Sequence, residues 1–179
     1  MSVEQREALI KAAFEGKHTD GWWRNLTQPL AAKQHTYSPY SKFPVGAALL
    51  AADGSIFKGA NIENASYGGT ICAERTAIVK AVSDGNKSFI ALAVVTDVPL
   101  AISPCGMCRQ VIREFCAADM PILLVPGDYP KPPGDDQEGK PGITAGGVKE
   151  TSIGELLPDS FGPEQLELPR TGGCVVQPP

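Results

Sequence analysis

Three cysteines and one glutamate lie in two short segments of the 179-residue chain. Cys72 precedes Glu74 by two residues, and Cys105 and Cys108 form a C-x-x-C pair directly after Pro104. Three thiolates can bind a zinc ion and leave its fourth tetrahedral position open for water, as catalytic zinc sites do. A carboxylic acid beside that water could carry protons to and from a substrate. The pattern therefore predicts one catalytic Zn²⁺ per chain, with Glu74 as the proton carrier.

A redox pair or simple apolar burial is the alternative interpretation of these cysteines. A C-x-x-C pair alone is weak support for zinc, because redox and structural zinc sites share it. The earlier C-A-E segment and the proline before the pair favour zinc. Two further cysteines are interpreted differently: Cys116 as core packing within a helix, and Cys174 as inert in a Gly-rich tail. His18 and His35 are interpreted as ordinary surface or helix residues.

Electrostatics adds a requirement for positive charge near the metal. Zn²⁺ with three thiolates carries a net charge of −1, which weakens it as a Lewis acid. The positive ends of two helices would offset part of this excess. Arg75, next to Glu74, is predicted to donate hydrogen bonds to thiolate sulfur. The alternative for Arg75 is an ordinary solvated charge on a helix.

Composition narrows the class of protein. Hydrophobic residues make up 42% of the chain, which favours a single globular domain spanning residues 1–179. The net charge is −4 and no Lys/Arg run appears, so we expect no nucleic-acid partner. No apolar run approaches membrane length, and the first residues are too charged for a signal peptide. We expect a cytoplasmic protein without a membrane partner, in a reducing compartment where clustered cysteines serve metal binding or catalysis.

The elements that must position these residues follow from hydrophobic periodicity and turn signals. Leu9, Ile10, Ala13 and Phe14 predict an amphipathic first helix. An Asp53-Gly54 turn predicts a hairpin between two strands. The predicted strands are 45–51, 55–62, 89–96, 121–125 and 148–152, and the later helices are 71–82, 103–117 and a turn at 154–157. Thr70 and Ser103 are the predicted N-caps of the helices at 71–82 and 103–117. Strands separated by helices predict an α/β fold with a mixed, mostly parallel sheet.

Three segments are predicted to lie outside this framework. Residues 16–27 interrupt the first helix, which residues 30–36 are predicted to resume. Residues 126–147 are rich in Pro, Gly and Asp and are predicted to form a flexible excursion. Residues 172–179 are predicted to be a disordered tail.

Five ordered motifs give the chain a family resemblance. They are SPYSKFPVGAA at 38–48, GANIENASY at 59–67, CAERTA at 72–77, PCGMCRQ at 104–110 and LLPDSFGP at 156–163. Together they resemble the small, homotetrameric, zinc-dependent cytidine deaminases of the cytidine/deoxycytidylate deaminase superfamily. The resemblance covers most of the chain. Its departures are the segments at 16–27 and 126–147, which look longer than the compact family pattern.

The resemblance implies a three-layer α/β/α sandwich and hydrolytic deamination of cytidine and deoxycytidine to uridine and deoxyuridine, in pyrimidine salvage. It implies that Cys72, Cys105 and Cys108 bind zinc and that Glu74 moves protons. It also implies a homotetramer with shared active sites and a small-molecule nucleoside substrate. The implied substrate-binding residues are Asn61 and Glu63 on the ribose 3′-hydroxyl, Phe43 beside the nucleoside, the Ala73 backbone on the base, Ala65 and Tyr67 in a neighbour's site, and Phe161 stacked on the base in another subunit.

Other interpretations stay open at the level of sequence. Phe43 and Phe161 could be core residues, and Asn61 and Glu63 could be polar residues at strand ends. The same zinc centre could serve a deaminase of modified nucleosides or a nucleic-acid editor. A non-catalytic zinc-binding interaction domain is a further class, although neither Glu74 nor an open fourth position would be needed there.

Overall fold

The computed structural model describes residues 1–17, 35–134 and 139–170. The chain forms five helices and five strands in these ranges, together with 3-10 turns at Tyr67–Gly69 and Ala145–Gly147. The elements are α1 (Val3–Lys17), β1 (Gly46–Ala51), β2 (Ile56–Ala60), α2 (Ala73–Ser83), β3 (Phe89–Val95), α3 (Gly106–Phe115), β4 (Pro121–Val125), β5 (Lys149–Ser152), α4 (Ile153–Leu156) and α5 (Pro163–Leu166). Among the described residues, no helix is long and apolar enough to cross a lipid bilayer.

The five strands form one mixed sheet in the order β2-β1-β3-β4-β5. The predicted hairpin is confirmed, because β1 pairs antiparallel with β2 across the turn at Gly54. β1 also pairs antiparallel with β3, β3 pairs parallel with β4, and β4 pairs antiparallel with β5. The prediction of an α/β fold with a mixed sheet is confirmed.

The expected predominance of parallel pairing is wrong. The helix between β2 and β3 does return the chain in the same direction, as the rule for strand–helix–strand units requires. However, β1 lies between β2 and β3 in the sheet, so each of them meets an antiparallel neighbour. β5 is antiparallel because the chain returns from β4 without a long crossover helix. One parallel pair, β3–β4, remains.

Helices cover both faces of the sheet and so form three layers. On one face, α2, α3 and α4 bury Ile78, Ile112 and Ile153 against alternate residues of the strands. On the other face, α1 buries Leu9, Ile10 and Ala13 against the remaining strand residues. The central strands are apolar on both faces because each face is covered by a helix.

Gly59 on β2 allows α2 to lie unusually near the sheet. A Cβ atom at this position would lie 2.2 Å from the carbonyl oxygen of Ala73 and 2.6 Å from the backbone nitrogen of Ala77. Both atoms belong to the backbone at the start of α2, so they cannot move aside as a flexible side chain would. Glycine at 59 therefore fixes where the N-terminal end of α2 sits over the sheet.

The starts of the two site helices differ from the predicted ones. Thr70 and Ser103 were expected to cap these helices because hydroxyl side chains are favoured at that position. Instead α2 begins after Cys72 and α3 begins after Cys105, and both cysteines have extended backbone. In the described chain, neither cysteine sulfur makes a capping hydrogen bond to its own helix.

Residues at both ends of the 126–147 segment contact α1. The Tyr129 hydroxyl donates to the Glu7 carboxylate, with oxygens 3.1 and 3.2 Å apart, and the rings of Tyr129 and Phe14 lie 6.3 Å apart. Arg6 Nη2 donates to the Thr144 hydroxyl at 2.6 Å. These contacts lay the ends of the segment on the α1 face of the sheet. The predicted flexibility of the excursion stays a prediction, and residues 18–34 and 171–179 lie outside the described residues.

Candidate active site

The three predicted zinc ligands come together at the N-terminal ends of α2 and α3. The Sγ atoms of Cys72 and Cys105 are 3.8 Å apart, and those of Cys105 and Cys108 are 3.4 Å apart. All three sulfurs lie within 4.8 Å of one another. Tetrahedral zinc with Zn–S bonds of about 2.3 Å places its sulfurs about 3.8 Å apart. The donor set and its spacing therefore fit one zinc ion.

Cys72 and Cys105 are the N-cap residues of α2 and α3, and this placement brings their sulfurs together. An N-cap side chain points toward the unpaired N–H groups of the first helical turn, where a negative charge is stabilised. The sulfurs of Cys72 and Cys105 are turned toward each other instead of toward those N–H groups. Cys108 lies in the first turn of α3 and is fully buried, so it forms the buried side of the cluster.

The ionisation of Cys72 and Cys108 favours the binding of a cation, because the two sulfurs hold a proton between them. The Cys108 thiol, together with Arg75 and Cys105, lowers the pKa of Cys72 to about 5, although partial burial acts in the opposite direction. The pKa of Cys108 is raised because its proton is held against the Cys72 sulfur and because the group is buried. A bound metal would take the place of that shared proton, since metal binding to thiolates releases protons.

Glu74 lies beside this cluster in the first turn of α2 and is almost completely buried. Burial raises the pKa of Glu74 to about 7, and the charge of the Cys72 thiolate acts in the same direction. A carboxylic acid whose pKa lies near neutrality can both accept and release a proton during a reaction. The structure thus places a group suited to proton transfer where the sequence predicts one.

Arg75 connects the cysteine cluster to the chain before it. Its Nη2 donates to the carbonyl oxygen of Thr70 at 3.2 Å and lies 3.8 Å from the Cys72 sulfur. Its Nε is buried and has no hydrogen-bond partner among the described residues. The guanidinium is therefore directed into the site instead of into solvent, which supports the predicted role of Arg75 beside the thiolates over a solvated helix charge.

Replacing Arg75 with glutamine is expected to lower kcat by about 10- to 100-fold and to reduce zinc content much less. The amide can keep a hydrogen bond to Thr70, but it removes the cation that offsets the three thiolates. Steady-state kinetics and metal analysis on the same preparation measure the two effects. Arg75→Lys is the matched control, because it keeps the charge and should be less impaired. Full activity of Arg75→Gln would show that the helix ends supply enough positive charge.

A pocket of about 390 Å³ adjoins the cluster. Its lining residues are Tyr40, Ser41, Glu63, Tyr67 and Thr70. Thr70 belongs to both regions, since its carbonyl accepts the hydrogen bond from the arginine that contacts the zinc-ligand cluster. The pocket and the cysteine cluster are therefore neighbouring parts of one site.

Glu63 anchors the polar side of this pocket. Its carboxylate accepts hydrogen bonds from the Tyr40 and Ser41 backbone N–H groups at 2.8 and 3.2 Å, and from the Ser41 hydroxyl. The Ser41 hydroxyl bond, together with the backbone bonds, lowers the pKa of Glu63. The pocket thus presents an ionised carboxylate, which attracts hydroxyl groups and repels phosphate.

Asn61 holds the loop that carries Phe43, and this loop is joined to the pocket because the Ser41 hydroxyl accepts a hydrogen bond from the Phe43 N–H at 3.1 Å. The buried Asn61 side chain donates to the Phe43 carbonyl and accepts from the Val45 N–H, with both distances 2.9 Å. This amide therefore holds the segment that carries Phe43, whose side chain is half-buried. Asn61 is more than a polar residue at a strand end, because it fixes the loop that leads into β1.

The remaining predicted residues are more dispersed. Ala73 is buried at the first position of α2, between Cys72 and Glu74. Ala65 is exposed, and Tyr67 is 76% exposed at the pocket rim, where its ring meets that of Tyr40. Phe161 is 60% exposed on the C-terminal segment, which excludes the core interpretation of this ring.

The sequence did not indicate that Tyr40, Ser41 and Thr70 line the pocket, and the only role predicted for Thr70 was as a helix cap. Tyr40 and Ser41 lie within one of the motifs that carried the resemblance, so the motif itself was the available signal. Their relation to Glu63 depends on hydrogen bonds over more than twenty residues of sequence. Local patterns do not reveal such contacts.

Comparison with known proteins agrees with this geometry. Residues 23–124 match the model of the cytidine and deoxycytidylate deaminase zinc-binding region, which covers more than half of the chain. The chain belongs to the cytidine and deoxycytidylate deaminase family. Zinc is thus the metal expected of the family's binding region, and the three-cysteine cluster offers it a site.

Similar proteins extend the match over most of the chain. A cytidine deaminase of Sporosarcina psychrophila is 51% identical over 141 residues, which are 79% of this chain and 91% of that protein. A cytidine deaminase of Halalkalibacterium halodurans is 44% identical over 141 residues and is covered to 94%. The crystal structure of cytidine deaminase from Burkholderia pseudomallei aligns with a TM-score of 0.64 and 37% identity, covering 90% of this chain and 100% of that one.

Proposed function

We propose that this deaminase-family chain hydrolyses the 4-amino group of cytidine and deoxycytidine, giving uridine or deoxyuridine and ammonia, as a step of pyrimidine salvage. The observation that carries the proposal is the buried Glu74, with a pKa near 7, beside a three-thiolate cluster. A structural zinc site would close all four positions with protein and would need no such acid. Matching relatives named as cytidine deaminases support the same assignment.

In the proposed reaction, Cys72, Cys105 and Cys108 would hold the zinc. When bound, zinc supplies Lewis acidity that lets water lose a proton near neutral pH. Glu74 accepts that proton and delivers it to N3 of cytosine while the water oxygen adds at C4. Glu74 then carries the proton of the new C4 hydroxyl group to the 4-amino group, so that the C4–N bond breaks, ammonia leaves and the oxygen remains as the C4 carbonyl. One carboxyl group can serve both transfers because its pKa allows it to accept and to release a proton.

The pocket would select a free nucleoside. Glu63, ionised at neutral pH, would accept a hydrogen bond from the ribose 3′-hydroxyl and would repel a phosphate attached there. Asn61 would share this role, because an amide has two N–H donors and only one is needed for the Phe43 carbonyl. Phe43 would lie beside the nucleoside, and the Ala73 backbone would contact the base.

An ultraviolet assay of the zinc-loaded chain tests the proposed function. Cytidine and deoxycytidine should be consumed with stoichiometric release of ammonia, whereas cytidine 3′-monophosphate, adenosine and a cytosine-containing single strand should react far more slowly. Turnover of the single strand at a comparable rate would favour a nucleic-acid editor. Failure to turn over either nucleoside in a chain with full zinc would refute the proposal.

We also infer a homotetramer with active sites completed across subunits. Phe161 and Tyr67 support this inference, because aromatic rings so exposed in one chain are available to a neighbour. Ala65, also exposed, lies two residues before Tyr67 and would approach the same neighbouring site. The cytoplasm is the proposed compartment, since three thiolates must remain reduced to bind metal.

Mixing two variants with different defects should restore activity at low cytidine concentration if sites are shared. Glu74→Gln lacks the proton carrier and Phe161→Ala lacks the exposed ring, so co-expressed chains would form some sites with both groups intact. Activity of the mixed oligomer, measured after tandem-tag purification, should exceed that of either variant alone. Homo-oligomers of each variant, purified in the same way, provide the baseline. A fully active monomer by sedimentation would contradict the shared sites.

A further inference from the structure

The C-terminal segment that carries Phe161 is held by side chains of α3. Arg109 Nη1 donates to the carbonyl oxygen of Leu156 at 2.8 Å. Gln110 Nε2 donates to the carbonyl oxygen of Phe161 itself at 3.2 Å. These bonds join α3 to residues more than 40 positions later in the chain. The helix that begins at a zinc-ligand cysteine therefore also fixes the segment that presents the exposed ring.

Arg109 makes a second contact, with residues 104–108, which form the zinc-binding turn. Its Nε donates to the carbonyl oxygen of Pro104 at 2.8 Å. That carbonyl is part of the peptide bond to Cys105, so it moves with the ligand. Leu156 is the last residue of α4, and its carbonyl is one that a short helix leaves without an intrahelical partner. One guanidinium thus joins the zinc-binding turn to the end of α4.

We propose that Arg109 is a positioning residue that couples the zinc-binding turn at Cys105 to the segment carrying Phe161. A guanidinium is a rigid planar fork, so displacement of one carbonyl shifts the donor that holds the other. Its hydrogen bonds are charge-assisted and partly buried, which makes them stronger than ordinary surface contacts. The inference rests on the proposed function, because Phe161 is taken to contact the base.

The coupling must act in both directions. If an ordered segment at 156–164 stabilises the zinc-binding turn, then bound zinc stabilises the segment by the same free energy. Where Phe161 serves a neighbouring chain, zinc in one subunit would assist nucleoside binding in the next. The metal centre and the substrate pocket of different subunits would then be linked through α3, with Arg109 as the side chain that contacts both the zinc-binding turn and the segment.

The rate of zinc release measures whether the segment at 156–164 stabilises the zinc-binding turn, and it requires no turnover of substrate. The zinc-loaded protein is mixed with excess 4-(2-pyridylazo)resorcinol and the rate of zinc transfer is followed by absorbance. Arg109→Gln should release zinc about tenfold faster than the wild type, because it loses both charge-assisted bonds. Arg109→Lys keeps the charge but not the fork, so its rate should lie between the two. Wild-type zinc release in Arg109→Gln would overturn the proposal.

Matched variants separate coupling from a general loosening of the segment. Arg113→Gln removes an ion pair to Glu164 in the same segment, and within the described part of the chain Arg113 makes no hydrogen bond to the zinc-binding turn. Phe161→Ala removes the ring alone. Both should release zinc more slowly than Arg109→Gln, because they leave the two carbonyl bonds of the guanidinium in place, whereas Phe161→Ala and Arg109→Gln should both raise the KM for cytidine by about tenfold. If Arg113→Gln released zinc as fast as Arg109→Gln, the specific role of Arg109 would be refuted.

Hydrogen exchange of the wild type tests whether bound zinc stabilises the segment at 156–164, and it needs no variant. Removing zinc with a chelator should accelerate amide exchange at 156–164 as well as at 105–108, while the β1–β2 hairpin stays protected. Acceleration confined to 105–108 would overturn the proposal. Zinc release and hydrogen exchange do not depend on catalysis. A wild type that fails to deaminate cytidine would therefore refute the proposed function, whereas the coupling would still be decided by these two measurements.

Discussion

Replacing Glu74 with glutamine is expected to lower kcat by about 10²- to 10⁴-fold while the protein keeps its zinc and its fold. Glutamine has almost the same shape as glutamic acid but cannot exchange a proton with the base or the leaving group. The Glu74 side chain is buried, so a neutral amide of the same size should be accommodated without a cavity. Steady-state kinetics, metal analysis and circular dichroism of one preparation measure the three properties together.

Glu114→Gln is the matched control for this variant. Glu114 is an exposed residue of α3, so the same chemical change there should leave kcat unaltered. A Glu74→Gln protein with full zinc and nearly normal turnover would show that another group carries the proton. Loss of zinc along with activity would instead assign Glu74 a part in holding the metal.

Replacing Cys108 with alanine is expected to remove both the metal and the activity. Cys108 is completely buried, and its sulfur lies 3.4 Å from that of Cys105, so no solvent molecule can easily replace it. Two thiolates alone hold zinc poorly, because a catalytic site depends on three protein ligands. Metal analysis should change from about one zinc per chain to almost none, and cytidine turnover should fall below detection.

Cys116→Ala separates metal loss from the general effect of emptying a buried position. Cys116 is also buried, and burial raises the pKa of its thiol to about 12, so it stays protonated and is poorly suited to bind zinc. Its replacement should lower stability by about 1–3 kcal/mol, as small core truncations do, and leave the zinc content intact. If Cys116→Ala lost zinc as completely as Cys108→Ala, the ligand assignment would be wrong.

The chemistry of the site could be predicted from sequence because it depends on residue types at short spacing. The pattern C-A-E and the pattern P-C-x-x-C each place their side chains within one helical turn, so local geometry is almost fixed. What the sequence could not supply is the contact between the two segments. That contact depends on α2 and α3 lying side by side on one face of the sheet.

The strand positions could also be predicted, since β4 occupies the predicted residues 121–125 and β3 ends one residue early. Strand order could not. The same hydrophobic pattern is satisfied whether β3 pairs with β2 or with β1, because all three are buried on at least one face. Helix starts were misplaced for a different reason: α2 and α3 begin after Cys72 and Cys105, whose sulfurs meet across the two helix ends, and the capping preference of hydroxyl residues does not indicate such a contact.

Tyr40 in the pocket and Arg109 on α3 escaped prediction because their importance lies in contacts with backbone groups. Tyr40 contributes an N–H group to Glu63, and Arg109 binds two carbonyl oxygens. Any residue type has a backbone N–H group or carbonyl, so nothing in its identity indicates such a partner. Only the folded arrangement shows which backbone groups a charged side chain can reach.

The way α1 is covered has a consequence for the order in which the molecule can be assembled during synthesis. α1 is made first, but its apolar side is completed by Tyr129, by Val148 and by β4, which are made more than a hundred residues later. Until those residues leave the ribosome, Leu9 and Ile10 have only part of their native surroundings. The first helix therefore acquires most of its cover once β1, β2 and β3 have been made, and nascent chains that stop before β4 leave the rest of its apolar side exposed and prone to association.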